Sequence, residues 1–145
     1  MIDKESRSQL AHLLRQLSVG QIANDQFEDQ LPRSKDRAVR EVIGQAWLLY
    51  DDMREHKLVG PSKKDRPEVA RWILFLQTDF EYEWPSLPAW LRIIGFMPSI
   101  LTLGLVWAPY RMWFERQGDC SVWPFLRDED FKDAKKNPVF MSGAA

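Results

Sequence analysis

The stretch LPAWLRIIGFMPSILTLGLVWAPYRMWF, residues 87–114, holds the longest apolar run of the chain. From position 93 to position 110 it has 18 residues without a charged side chain. Eighteen helical residues rise about 27 Å, slightly less than the ~30 Å hydrocarbon core of a bilayer. Pro98, near the middle, interrupts a straight helix. The pattern is compatible with a kinked span, but it favours two short apolar helices that meet near Pro98 and Ser99.

Two environments suit this stretch. The N-terminus, MIDKESRSQLAHLLRQ, lacks the apolar region of a signal peptide, so about the first ninety residues are expected in the cytoplasm. A single span would then place Arg111, Arg116 and Arg127 outside, against the positive-inside tendency. A re-entrant or interfacial hairpin with both ends on the cytoplasmic side of the inner membrane fits better. Alternatively, the stretch completes the core of a soluble cytoplasmic protein.

Both interpretations, membrane contact and core completion, depend on the large apolar side chains of this stretch. In a membrane, Trp90, Trp107, Tyr110 and Trp113 would lie at the headgroup level, where aromatic rings with one polar atom are favoured. The residues predicted to contact lipid, a partner or the core are Trp90, Ile93, Ile94, Leu101, Leu103, Leu105, Trp107 and Trp113.

The remainder of the sequence has an ordinary composition. With 145 residues, 20 Lys and Arg and 21 Asp and Glu, the chain has a net charge of −1 and room for about one domain. Such a balance argues against nucleic acid as a partner. Cys120 is the only cysteine, which excludes an intramolecular disulfide and agrees with a reducing compartment.

Helical periodicity begins near the N-terminus. Asp3 or Ser6 can cap a first helix, whose stripe Leu10, Leu13, Leu14 and Leu17 ends before Gly20. Asn24 or Asp25 starts a short second helix, in which Phe27 and Leu31 share a face and which Pro32 closes. The two segments predict an αα-hairpin.

Part of this hairpin is similar to a known module. Residues 10–31, with LLRQLSVGQIANDQFEDQL, resemble the bacterial SHOCT (short C-terminal domain) hairpin at Leu14, Leu17, Gly20, Ile22, Asp25, Phe27 and Glu28. Ala23 and Asn24 depart from the module's usual Thr before its acidic pair. The resemblance implies a role in protein interaction or oligomerisation.

Two further helices are predicted downstream. Capped by Ser34 or Asp36, the first keeps helical spacing to about residue 56 through Val39, Val42, Ile43, Ala46, Trp47, Tyr50 and Met53. The second, EVARWILFLQTDF at 68–80, follows Pro67 and is apolar on more than one face, so it should be central to the bundle.

The C-terminal part gives a mixed pattern. CSVWPF, residues 120–125, predicts an extended segment pressed onto an apolar surface, because the residue before proline avoids the helical conformation. Asp128 is expected to cap a last short helix that continues through Lys136.

Two polar groups are candidates for chemistry. In YDDMREH, a helix would place Asp52 and His56 one turn apart, close enough for a metal site with Glu55; a solvated face is the simpler interpretation. In DFEYEWP, carboxylates alternate with aromatic residues. Such a segment at a helix end is typical of an exposed acidic loop with aromatic anchors, and the predicted partner surface is Asp79, Glu81, Tyr82, Glu83 and Trp84.

The sequence predicts a mainly α protein, a small helical bundle with a Pro-broken apolar segment at about 88–114 and a partly extended C-terminal WPF segment. Its parts are an N-terminal helical module at 1–85, the apolar segment at 86–117 and a C-terminal segment at 118–145. The expected function is that of a small, membrane-associated, bacterial-type interaction module. We expect no enzymatic activity, cofactor or metal. The module is expected to bind a protein partner or a second copy of itself, and to contact membrane lipid through the apolar segment. The alternatives are a soluble helical adaptor or immunity-like protein and a metal-dependent enzyme using Asp52, Glu55 and His56.

Overall fold

A computed structural model describes residues 1–51, 53–57, 66–84 and 118–136 of the chain. These residues form a mainly helical protein, as predicted. The part of the chain that the structure describes contains five α-helices, which in chain order are α1 (Lys4–Ser18), α2 (Asn24–Asp29), α3 (Arg37–Ala46), α4 (Arg66–Leu76) and α5 (Asp128–Lys136). Within the described ranges there is no β-strand, only an isolated antiparallel bridge between Ala23 and Lys57.

The N-terminal hairpin follows its sequence signals. The Asp3 side chain accepts a hydrogen bond from the backbone N–H of Ser6 and so caps α1, and the four leucines of the predicted stripe are buried. Gly20 follows α1 with a φ of 70°, a conformation that glycine adopts without strain. The predictions of both helices and of the turn are confirmed, although α2 ends at Asp29, before Leu31.

The prediction of a helix to residue 56 is wrong beyond Ala46. A 3₁₀ turn at Trp47–Leu49 ends the helix, and Tyr50 is extended. Trp47 is half exposed and Met53 is 83 % exposed, so these apolar residues do not continue the buried face of α3. The buried side chain of Asn24 instead donates to the carbonyl oxygens of Asp51 and Arg54 at 3.2 Å and 3.0 Å, which fixes this loop beside α2. The physical reason is that tertiary hydrogen bonds compensate for the loss of helical ones.

Helix α4 is central, as expected from its apolar residues. It packs against α1, and its buried side chains face two directions. Val69, Trp72, Ile73 and Leu76 join the leucines of α1, Phe27, and the α3 residues Val39, Val42 and Ala46 in a first cluster. The helix ends at Leu76 rather than near residue 80. Just after its end, the hydroxyl of Thr78 donates to the carbonyl oxygen of Phe75 at 2.7 Å.

The other buried residues of α4, Leu74 and Phe75, belong to a second cluster that also contains C-terminal residues. It contains Ala38, Leu74, Phe75, Val122, Phe125 and Ala134, with Tyr82 and Phe131 packed against it. The described residues 118–136 therefore share a core with α3 and α4. A 3₁₀ turn at Cys120–Val122 corrects the prediction of an extended start to this segment, whereas its contact with an apolar surface and the helix up to Lys136 are confirmed.

The apolar stretch at 87–114 lies outside the described residues, together with all eight of its predicted contact residues, Trp90, Ile93, Ile94, Leu101, Leu103, Leu105, Trp107 and Trp113. None of the helices in the described part of the chain combines the length and the apolar composition that a membrane-spanning helix requires.

Candidate interaction surface

A buried ion pair fixes the start of the acidic segment, which we define as residues 79–84 (DFEYEW). Arg7, on α1, is 1 % exposed, and its Nε donates to Oδ2 of Asp36 at 2.6 Å. Its Nη1 donates to the carbonyl oxygens of Thr78 and Phe80 at 3.1 Å and 2.8 Å. With a further hydrogen bond from Nη2 to Oδ1 of Asp36 at 3.3 Å, the guanidinium uses four of its five N–H donors and ties the N-cap residue of α3 to the backbone on both sides of Asp79.

Asp36 is held in its charged form. Burial alone would raise the pKa of the Asp36 carboxyl, but hydrogen bonds from Arg7 and from the backbone N–H groups of Asp3 and Ala38 outweigh burial and lower that pKa below its usual value. The N–H of Ala38 lies 2.9 Å from Oδ1, so the same carboxylate caps α3. The ion pair is therefore part of the scaffold beneath the acidic segment.

Two aromatic residues anchor the segment further along. The Trp123 indole N–H donates to the Tyr82 hydroxyl at 3.1 Å, and the Trp84 indole N–H donates to the carbonyl oxygen of Phe125 at 3.2 Å. Arg37 lies 5.4 Å from the Tyr82 ring centroid and donates to the carbonyl oxygen of Trp84 at 2.9 Å. Burial raises the pKa of the Tyr82 phenol, so its hydroxyl remains protonated at neutral pH. The predicted aromatic anchors are thus directed inward.

The carboxylates of the acidic segment face solvent. Asp79, Glu81 and Glu83 are exposed. The Lys4 ammonium lies 2.7 Å from Asp79, and the amino group of Met1 lies 2.8 Å from Glu81, where its hydrogen bond lowers the pKa of that carboxyl. Ion pairs this exposed contribute little to stability, so another cation can exchange with them at small cost.

A pocket of about 320 Å³ opens beside the acidic segment. Aromatic rings form one part of its lining: Phe125 lies 5.0 Å from Phe75 and 6.2 Å from Phe80 between ring centroids, both at steep angles. Charged side chains from the segment and from the start of α5 form the other part. We call this the acidic pocket; its lining residues are Phe75, Phe80, Glu81, Glu83, Phe125, Leu126, Arg127 and Asp130.

Of the five residues predicted to form the partner surface, Asp79, Glu81 and Glu83 are exposed, whereas Tyr82 is half-buried and Trp84 is buried. The segment therefore has the form of a loop with aromatic anchors, and its role as a partner surface stays a prediction. Sequence reasoning missed Arg7 and the C-terminal half of the pocket, Phe125, Arg127 and Asp130. The only signal for the latter was the expectation that the WPF segment packs on an apolar surface. For Arg7, a charged residue in the first helix, the sequence has no such signal.

The group considered for a metal site lacks the geometry that motivated it. Glu55 and His56 lie in a non-helical loop, where Nδ1 of the His56 ring is 2.8 Å from the carbonyl oxygen of Arg54, and Asp52 lies outside the described residues. Across the described ranges, no three His, Cys, Asp or Glu side chains are grouped as metal ligands. The premise of two ligands one helical turn apart is therefore wrong.

Comparisons with known proteins add no relative to this picture. No protein-family model, curated protein or solved structure is significantly similar to the chain. The resemblance of residues 10–31 to the SHOCT hairpin consequently rests on the residues of that segment alone.

Proposed function

We propose that the protein is a non-enzymatic helical interaction module, which presents the acidic segment to a protein partner and contacts the inner membrane from the cytoplasmic side. The observation that supports the partner role is the opposed orientation of the segment's side chains. Tyr82 and Trp84 are held in the core while the three carboxylates face solvent. A surface ordered before binding loses little conformational entropy when a partner docks, which favours affinity.

The path of the chain bears on the membrane contact. The described part stops at Trp84 and resumes at Gly118, and a Cβ atom on Gly118 would lie only 2.9 Å from Cη2 of Trp84. A single crossing would separate the two ends by a hydrocarbon core of ~30 Å. The closeness of Trp84 and Gly118 supports an arrangement in which both ends of residues 85–117 lie on the same side. Membrane contact is then re-entrant or interfacial.

Site-specific photo-crosslinking in cells tests the partner role. A photoreactive amino acid at the exposed position Asp79 should give one discrete crosslinked adduct, while the same residue at the exposed position His12, on α1, should not. If both positions give the same adducts or none, the acidic segment is not the partner surface.

Fractionation of the full-length chain tests the membrane contact. We expect it in the membrane fraction, where it should resist extraction by high salt and be released by detergent. Recovery in the soluble fraction at high salt without detergent would eliminate this part of the proposal.

A soluble helical adaptor or immunity-like protein is the second candidate, and the shared second cluster favours it. Residues on both sides of the apolar stretch pack into that cluster, so the stretch can complete the same core. Leu103→Asp separates the two candidates. If the protein is an adaptor, the substitution should unfold the whole domain. If it is a membrane-contacting module, the helices of residues 1–84 should remain folded, and circular dichroism should still detect them.

A further inference from the structure

The acidic pocket combines an aromatic lining with an excess of carboxylates. We propose that it binds the arginine side chain of a basic segment in the partner protein. This inference rests on the proposed role as an interaction module and specifies the chemistry of the partner. It involves no covalent step, only the docking of one cationic side chain.

The aromatic rings that line the pocket suit a guanidinium group. Phe80 is 37 % exposed at the pocket, and its ring meets that of Phe125 at an interplanar angle of 76°. A guanidinium group is planar and weakly hydrated, so it stacks on aromatic faces more readily than an ammonium group. The chain itself uses this contact twice nearby, since Arg7 lies 5.5 Å from the Phe75 centroid and Arg37 lies 5.4 Å from that of Tyr82.

The charged side chains of the pocket also favour a cation. Among the described lining residues there are three carboxylates, those of Glu81, Glu83 and Asp130, and one cation, Arg127. Within the described ranges, neither Glu83 nor Asp130 makes an ion pair, although Asp130 is only partly exposed. Among the described residues, a cation that enters the pocket therefore meets two carboxylates without an ion pair, and either can accept N–H donors of a guanidinium.

The neighbouring residues show that this edge of the molecule accepts cations. Lys4 pairs with Asp79 and the amino group of Met1 pairs with Glu81, both in exposed positions. A basic segment that crosses the acidic segment can replace either contact while its arginine enters the pocket. The volume of about 320 Å³ lies at the lower end of ligand-pocket sizes, which suits one long side chain.

Protein-observed NMR on the full-length chain, in detergent micelles if solubility requires them, tests this inference. The probes are a short peptide with one arginine and the same peptide with citrulline, which has nearly the same shape but no charge. We expect the arginine peptide to shift the amide resonances of Phe80, Glu83 and Asp130, and the citrulline peptide to leave them unchanged. The double substitution Glu83→Gln/Asp130→Asn should weaken binding by about tenfold or more.

Glu129→Gln is the matched control, because Glu129 is an exposed acid on the same helix but does not line the pocket. It should leave the affinity for the arginine peptide unchanged. Equal binding of both peptides, or equal weakening by the control, would overturn the inference. The Asp79 crosslink is independent of the partner's charge, so an adduct without arginine binding removes this inference and leaves the interaction module in place.

Discussion

The two hydrophobic clusters differ in how they are built. The first consists largely of aliphatic side chains that recur with helical spacing on α1, α3 and α4. The second is rich in aromatic rings and joins α3 and α4 to residues more than forty positions later. The difference indicates that the first cluster specifies the helical bundle, whereas the second positions the acidic segment and the pocket beside it. The Arg7–Asp36 ion pair connects them, because Arg7 lies on α1 and over the Phe75 ring.

Loss of this ion pair should have the largest effect on stability. In Asp36→Ala, Arg7 keeps its charge at a position that is 1 % exposed, and α3 loses its cap. Removing one partner of a buried pair costs ~3–5 kcal/mol, so urea denaturation should show a loss of that size in the free energy of unfolding. The double variant Arg7→Met/Asp36→Ala should recover part of the loss, since it removes the uncompensated charge. A double variant less stable than Asp36→Ala would show that the charge is not the cause.

Matched truncations separate the roles of the clusters. Leu14→Ala in the first and Phe125→Ala in the second should each cost ~2–5 kcal/mol, because both side chains are at most 1 % exposed. Hydrogen exchange should distinguish them: Leu14→Ala accelerates exchange throughout the helices, while Phe125→Ala accelerates it mainly in α5 and the acidic segment. If Phe125→Ala weakens α1 equally, the two clusters unfold as one unit and the distinction is wrong.

The contact between Gly118 and Trp84 permits a finer test beside the second cluster, where the Trp84 indole N–H donates to the carbonyl oxygen of Phe125. A Cβ atom at Gly118 would lie 2.8 Å from Cδ1 of Leu126 and 2.9 Å from Cη2 of Trp84, so both side chains must shift. Gly118→Ala should therefore lower the free energy of unfolding by ~1–3 kcal/mol. Gly44, in α3, is the control: nothing lies within 4 Å of its added Cβ, and Gly44→Ala should stabilise the protein by ~0.5–1 kcal/mol. Thermal denaturation of the two variants should give shifts of opposite sign.

The same comparison explains what the sequence could predict. Periodic leucines and a capping aspartate identified α1, since a helix repeats its contacts every three or four residues. The packing of Phe125 on Phe75 and the burial of Arg7 depend on contacts between distant parts of the chain, which leave no periodic pattern. The predicted extension of α3 failed for a related reason: the side chain of Asn24 holds the loop that follows Ala46, and its partners there are backbone carbonyls, which every residue has.

Acid should weaken the N-terminal network with the smallest effect of the set. Hydrogen bonds from the Ser34 hydroxyl, then from the Ser6 hydroxyl and backbone N–H, lower the pKa of Asp3 below its usual value of 3.8. A carboxyl with a depressed pKa in the folded state stabilises that state above the unfolded-state pKa, and this contribution is lost as pH falls through the lower, folded-state value. Stability measured by urea denaturation should therefore be nearly level from pH 7 to 5 and decline below about pH 4. Asp3→Asn keeps a good capping residue but cannot titrate, so its decline should be shallower. An unchanged slope would mean that Asp3 does not contribute to the acid sensitivity, which then comes from the other carboxyls with a lowered pKa, those of Asp36, Glu81 and Asp119.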